Sequence, residues 1–577
     1  MKNKKIFNPF SYLKSYRGYA ISAPIFKCIE TITELFVPFI MAKIIDIGIK
    51  NNDLNYILKL GILIVVLNIV GFIFAIYCQK FAAIASMGAG KNIRHSIFEK
   101  INNYSHAELD KYSTTTLLNR CVNDVRNIQD GLGHILRILM RTPFLLIGSL
   151  VLTLFIDVKL SIIFVVILPL LVLIIWKFMK KIKPILLSIK AKLDRTTAVT
   201  RENLTGVRVV RAFNKQNYEA EKFKEANYDL ISSQIEHGAW NSALSPVISL
   251  VVNLSIIALL YFGGFEVNIG GISQGNLIAF IDYFGTVSTC VLNLATTITI
   301  INRMNASSER INELFLLDNT IKSPSKPTAF GKLSSIEFKD VNFSYSNLKN
   351  TVSNLSFKAF PGEIVGIIGG TGSGKSSIVN LIPRFYDVSS GEILINNKNI
   401  KNFSVEDLRD NIGLVPQNPT LFAGTIRSNM CWRKPDATDE EIIKALRIAQ
   451  AYDFIKEYPD FLEHKVNRGG TNFSGGQRQR LTIARALVGN PQIIILDDAS
   501  SALDFATDAK LRKAIRTNLE NSTIFIVTQR TNSIKDANKI IVINNGEIVG
   551  IGTHEDLLES CDVYSEIHYS QNKREVK

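Results

Sequence analysis

Six stretches of the chain are apolar over the lengths that a bilayer core demands: residues 19–49, 56–77, 143–156, 160–176, 244–265 and 277–301. The third is short. It reaches spanning length only if its helix starts back near Gly131, taking Arg137 and Arg141 into the end that faces the cytoplasm. The polar connections differ in charge. Residues 46–56 hold one lysine against two aspartates, and 266–276 hold neither lysine nor arginine. By contrast, 177–192 carry Lys177, Lys180, Lys181, Lys183, Lys190 and Lys192. Positive charge marks cytoplasmic loops, so six spans with both termini in the cytoplasm are predicted, in the cell membrane.

The helical pattern also outruns the membrane. From Tyr56 it continues, increasingly polar and without proline, to about Ile101, roughly 45 residues or about 68 Å. That is about twice a bilayer core, so the surplus is expected to stand in the cytoplasm; a separate soluble helical insertion is the alternative. Residues 1–17 are basic, with Phe7, Phe10, Tyr12 and Leu13 among lysines, and lack a small-residue cleavage site. They read as an interfacial elbow helix rather than a signal peptide. After the last span, residues 317–335 contain Pro324, Pro327, Gly331 and several serines and threonines, and strand-like alternation begins at Ile336. The predicted division is 1–17 elbow, 18–316 transmembrane domain, 317–335 linker and 336–577 soluble domain.

Composition agrees with a membrane part joined to a soluble part. The 577 residues exceed what one core holds, and 47% apolar content with mean hydropathy +0.15 lies between the soluble and wholly lipid-embedded extremes. The net charge of +15 raises nucleic acid as a partner. No basic patch with interleaved aromatics stands out, so the surplus is assigned to lysine and arginine flanking the spans, and no nucleic-acid partner is expected. Cys28, Cys78, Cys121, Cys290, Cys431 and Cys561 form no CxxC pair, which argues against a zinc or disulfide framework.

The soluble part carries the chemistry. A buried-strand pattern at 364–368 leads into Gly369-Gly370-Thr371-Gly372-Ser373-Gly374-Lys375-Ser376, followed by Ser377. This is a complete GxxxxGK[ST] phosphate loop. Its glycines let backbone N–H groups turn onto phosphates, and the helix that begins near Lys375 adds its positive end. Lys375 is expected to reach the β- and γ-phosphates of ATP, and the Ser376 hydroxyl to ligate Mg²⁺. A second apolar strand pattern, 493–496, ends in Asp497, placed to hold Mg²⁺ through water.

Phe473-Ser474-Gly475-Gly476-Gln477 matches the signature of ATP-binding cassette (ABC) proteins, and from here the chain resembles that family over its whole length. Tyr345 matches the aromatic that stacks on adenine. Gln417, in Val415-Pro416-Gln417, matches the Mg²⁺- and coupling-sensing glutamine. Ser501-Ala502-Leu503-Asp504 matches the D-loop. Glu202-Asn203-Leu204 through Val209-Val210-Arg211-Ala212-Phe213 resembles the second intracellular loop of exporter-type members. The resemblance implies an α-helical six-span transmembrane domain joined to an α/β P-loop nucleotide-binding domain. It implies ATP and Mg²⁺ as ligands, a lipid bilayer around the helices, and a second half-transporter as partner.

Three positions depart from the family pattern. Asp498 stands where a glutamate polarises the attacking water, and Gln529 replaces the switch-loop histidine at the γ-phosphate. The loop before the signature reads Val466-Asn467-Arg468-Gly469-Gly470, without the usual Glu-Arg-Gly. A carboxylate withdrawn by about one bond length, with about 1 Å of misplacement, can cost on the order of 100-fold. In this family each ATP is sandwiched between one chain's phosphate loop and the other's signature. The chain therefore resembles the degenerate-site subunit of bacterial heterodimeric multidrug exporters, with a weakly hydrolytic site of its own and a signature that completes a partner's competent one. An ATP-gated channel or regulatory subunit, and an importer of the exporter-type fold, stay open beside this reading. The substrate is expected to be a small drug-like or lipid-like amphipathic molecule. Lys27, Glu30 and Glu34 on one face of the first span, with Asp282 in the sixth, either pair with one another or contact a cationic substrate. Phe280, Tyr283 and Phe284 either line a cavity or pack.

Overall fold

Apolar periodicity longer than a bilayer needs becomes six long helices in the computed structural model, which describes residues 7–345 and 350–571. They are α1 (Arg17–Lys43), α2 (Leu54–Asn102), α3 (Thr114–Ile156), α4 (Val158–Thr205), α5 (Gln216–Asn268) and α6 (Gln274–Leu316). By Cα packing the chain divides into two units: Met1–Asn102 with Thr114–Leu317, and Asn103–Ser113 with Asp318–Lys577.

In the first unit, α2 has 49 residues and α5 has 53, so each is about 75–80 Å long. Five helices, α2 to α6, are long and apolar enough to cross a membrane. The predicted sixth, α1, falls below that level because Lys27, Glu30 and Glu34 sit near its middle. Those charges are satisfied inside the bundle. Lys27 donates to both Glu30 oxygens at 2.6 and 2.7 Å, and Arg141 of α3 donates to both Glu34 oxygens at 2.7 and 2.8 Å. The third span starts at Thr114, well before Gly131, and contains π-helical turns at Arg120–Asp124 and Ile135–Leu139.

Asp46, at the outer end of α1, accepts from the Gly275 N–H at 2.8 Å and from the Ser273 hydroxyl at the start of α6. A Cβ on Gly275 would lie 2.2 Å from the Ala42 carbonyl, so only glycine allows this approach. The described part of the elbow is a 3₁₀-helix, Pro9–Tyr16, rather than an α-helix; residues 1–6 lie outside the described residues. Asn8 caps it, and Phe7 stacks on Phe315 at 5.5 Å. Phe280, Tyr283 and Phe284 are fully buried among the helices, which assigns them to packing.

In the second unit, β1 (Ile336–Phe343), β2 (Val352–Ala359), β4 (Ser390–Ile395) and β5 (Lys398–Asn399) form an antiparallel sheet in the order β2-β1-β4-β5. A six-stranded sheet has the order β12-β11-β3-β10-β9-β6. Its strands are β3 (Ile364–Gly369), β6 (Ile412–Val415), β9 (Ile493–Asp497), β10 (Thr523–Thr528), β11 (Lys539–Asn544) and β12 (Glu547–Gly552). All neighbours are parallel except β12. The remaining strands, β7 (Gly424–Thr425) and β8 (Lys465–Val466), pair with each other. Parallel strands are covered on both faces, which explains why β3, β9, β10 and β11 read as runs of isoleucine and valine. Loops leaving the carboxyl ends of β3, β9 and β10 therefore gather at one edge, where ligands bind in such sheets.

Candidate nucleotide site

The phosphate loop turns between β3 and α7 (Lys375–Leu381). Gly372 and Gly374 have φ of 78° and 98°, left-handed values that explain glycine at both positions. A Cβ on Gly369 would meet the Ile543 carbonyl at 2.1 Å, so this glycine is fixed by close packing against β11. Lys375 folds back across the loop and donates to the carbonyls of Gly369 and Gly370 at 3.0 and 2.7 Å. Burial pushes its ammonium below the usual lysine range, against the pull of Asp498 and Asp497. Ser376 Oγ donates to Asp497 Oδ1 at 3.0 Å. Hydroxyl and carboxylate oxygens brought together in this way are the hard donors that Mg²⁺ takes. The donor set fits that ion: Ser376 and Asp497 would hold it, and its charge would offset that of bound phosphates.

Asp497 is 8% exposed, and burial raises its carboxyl above the ordinary range. Asp498 is raised by burial as well, while a hydrogen bond from Gln417 and the charges of Arg530 and Lys375 pull the other way. Gln417, expected at Mg²⁺, thus lies near enough to Asp498 to hold its carboxyl down. The backbone of Asp498 is left-handed at φ 49°, a conformation that aspartate tolerates better than most residues. Its carbonyl accepts the Ser501 hydroxyl at 2.9 Å, which fastens the D-loop, and Asp504 caps α9 (Phe505–Asn518) through the Thr507 N–H.

Gln529 follows β10, the strand between β3 and β9, and its side chain makes no hydrogen bond among the described residues. Its carbonyl accepts from Gln571 Nε2 at 2.6 Å, and Gln571 Oε1 accepts the Thr531 N–H at 3.0 Å. One side chain of the terminal helix α10 (Asp562–Gln571) therefore holds both strands of the switch loop. Sequence reasoning missed it because nothing local marks a glutamine that acts 42 residues away.

The signature opens α8 (Gly475–Leu487) as a capping box. Ser474 Oγ accepts the Gln477 N–H at 3.3 Å, and Gln477 Oε1 accepts the Ser474 N–H at 2.9 Å. Phe473 is buried, and Gly475 and Gly476 are left facing outward at the positive end of the helix. Among the described residues, no hydrogen bond or ion pair joins 473–477 to the phosphate loop.

Tyr345 is half exposed and donates to Ser377 Oγ at 3.1 Å. Its ring meets Tyr386 edge-on at 5.0 Å, and Tyr386 in turn donates to Asp110 Oδ2 at 2.6 Å. Asp110 follows the short helix His106–Leu109, in the segment between α2 and α3 that folds into this second unit. The His106 ring stacks on Phe385 at 4.0 Å, and burial lowers its proton affinity. Burial followed by the bond to Asp110 pushes the Tyr386 phenol well above its usual range. Four helical residues show no periodicity, so this docking is not legible from local pattern.

The model of the ABC transporter transmembrane region matches residues 21–291, and a second model, ABC transporter, matches 352–501. An uncharacterized ABC transporter ATP-binding protein of Mycobacterium tuberculosis is 34% identical over 97% of both chains. A putative multidrug export ATP-binding/permease protein of Bacillus subtilis is 33% identical over 86% of each, and an ATP-dependent lipid A-core flippase of Syntrophus aciditrophicus is 31% identical over 86% of this chain and 84% of its own. A solved bacterial Atm1-family ABC exporter with ATP bound shares the fold, with a TM-score of 0.82, 22% identity and coverage of 97% of this chain and 99% of that one. Matched in both parts and along almost its whole length, the chain belongs to the ABC transporter family.

Proposed function

We propose that the chain is one half of a heterodimeric ATP-driven exporter of small amphipathic molecules, in which its own phosphate loop forms the slow site and its signature completes the partner's fast one. The observation that carries this reading is Asp498. At the position of the water-polarising carboxylate stands a side chain one methylene short. A base must reach the proton that it takes, to within about 3 Å. The signature, by contrast, is complete, and among the described residues no hydrogen bond or ion pair joins it to the chain's own phosphate loop.

Support for a partner comes from the tip between α4 and α5. There Leu204, Val209 and Phe213 are 69%, 60% and 72% exposed, an apolar cluster with no cover of its own. The names of the multidrug-export and lipid-flippase relatives support an amphipathic substrate. The test is ATPase activity of the purified chain alone and with its partner half. Little turnover alone and robust turnover in the pair are expected. Full turnover by the single chain, free of partner, would overturn the heterodimer.

A further inference from the structure

The first unit contains a cavity of about 580 Å³ between α1, α2, α3 and α6, a size suited to a small molecule or a lipid head group. Its wall is polar, because the aromatic face of α6 is turned into the helix packing and the opposite face, with Asp282, Thr286 and Asn293, lines the space. The five charged side chains of the lining, Lys27, Glu34, Arg137, Arg141 and Asp282, fall into two classes. Lys27 is neutralised by Glu30, and Glu34 by Arg141. The other two, Arg137 and Asp282, have no opposite charge among the described residues.

Arg137 donates Nε to the Gly133 carbonyl at 3.0 Å and Nη1 to Gln79 at 2.6 Å. Both acceptors are neutral, and they fix the guanidinium while leaving its other Nη without an acceptor among the described residues. Arg137 also sits in the π-helical turn Ile135–Leu139, an irregularity that recurs at functional sites because it re-aims side chains. Asp282 is exposed to the cavity; no described donor reaches its carboxylate. Uncompensated charges within the bilayer are costly and mark the path of a substrate. Here there is one of each sign, held apart.

We infer that this cavity takes a zwitterionic solute, with its ammonium group against Asp282 and its phosphate or carboxylate group against Arg137. The inference rests on the exporter reading and names its substrate class. A purely cationic guest leaves Arg137 uncompensated, and a purely anionic one leaves Asp282 so. A zwitterion neutralises both without disturbing the Glu34–Arg141 pair. A lipid head group and a free solute share this chemistry.

The test measures binding to the transporter in nanodiscs without ATP, using dodecylphosphocholine below micelle formation, glycerophosphocholine, dodecyltrimethylammonium and dodecyl phosphate. Dodecylphosphocholine is expected to bind at least about tenfold tighter than either singly charged probe, as one lost charge-assisted contact implies. Binding of glycerophosphocholine at similar affinity assigns a free solute, and its failure beside tight dodecylphosphocholine assigns a lipid. Asp282→Asn should abolish the preference over dodecyl phosphate, and Arg137→Gln the preference over dodecyltrimethylammonium. Each variant's retained binding of the probe that it still matches shows that it is folded. Equal affinity for the zwitterionic and cationic probes, or preferences unchanged by both substitutions, would overturn the inference. ATP-driven uptake into inside-out vesicles separates the two readings: zwitterion binding without uptake refutes the exporter, while uptake without the charge preference refutes only the zwitterion.

Discussion

Cutting Ser474 to alanine removes two things that can be measured apart. The first is a helix cap. Its Oγ accepts the Gln477 N–H at 3.3 Å, whereas the reciprocal bond from the Ser474 N–H to Gln477 uses backbone and survives. Half a capping box is lost, about 1 kcal/mol, and a domain stable by about 5–15 kcal/mol stays folded. The second, on the proposed reading, is a donor facing the partner's γ-phosphate, where charge develops. Loss of one such donor costs about 10²–10³ in turnover, or about 2.7–4 kcal/mol. Ser474→Asp separates the two. Aspartate caps as well as serine and suits the positive helix end, so its melting temperature should equal or exceed that of the wild type. Its carboxylate opposes the phosphate, however, and turnover should fall below that of Ser474→Ala. Asp498→Ala, in the slow site, should cost far less. The assay is steady-state ATPase of co-purified pairs, each with one change, beside melting curves. Wild-type turnover in Ser474→Ala with none in Asp498→Ala would reverse the assignment of sites. A fall in Ser474→Asp activity that merely tracked lost stability would refute the phosphate contact.

Restoring Asp498→Glu should raise hydrolysis only modestly, since Gln529 and the altered loop before the signature remain; a jump to two-site rates would show that Asp498 alone limits the site. Burial holds the folded Asp497 carboxyl above its unfolded value, so this group's contribution to nucleotide-free stability is greatest below the ordinary carboxylate range and is lost as pH rises through the raised value. Asp497→Asn should therefore melt higher than wild type at neutral pH, with a flatter pH profile in acid; an unchanged melting curve would refute this. Gln571→Ala strips the Thr531 N–H and the Gln529 carbonyl of their partner, at about 1–3 kcal/mol, and hydrogen exchange at Thr531 should accelerate while β9 is unaffected. Tyr386→Phe removes the bond to Asp110 but keeps the ring against Tyr345, so proteolysis within 103–113 should quicken; equal cleavage rates would count against the docking.

The parts of the fold visible in the sequence are those that repeat or are contiguous. Long helices, the strand–loop–helix at 364–381 and the parallel strands follow from local pattern, because each needs only its neighbours. The Lys27–Glu30 pair, three residues apart on α1, belongs with them. Hidden parts depend on residues far apart in the chain: Glu34 meets Arg141 across 107 positions, and Gln571 reaches back 42 positions to the Gln529 carbonyl. Composition alone ranks α1 below the other spans because of Lys27, Glu30 and Glu34, charges that are neutralised within the bundle, and the transmembrane-region match includes this helix. The 3₁₀ form of the elbow escaped notice because its amphipathic pattern over eight residues suits either helix.

That residues 103–113 fold with 318–577 bears on how the protein is made. At about 5–20 residues per second, the segment leaves the ribosome at least ten seconds ahead of Phe385 and Tyr386, the side chains that receive it. During that interval His106 and Asp110 wait at the end of an inserted helix, and the nucleotide domain, once synthesised, completes its fold on a piece of chain already anchored. Assembly is thus ordered, membrane part first. A fragment beginning at Asp318 would lack its last piece and present two aromatic rings to water, which makes it prone to aggregation even when every strand has formed.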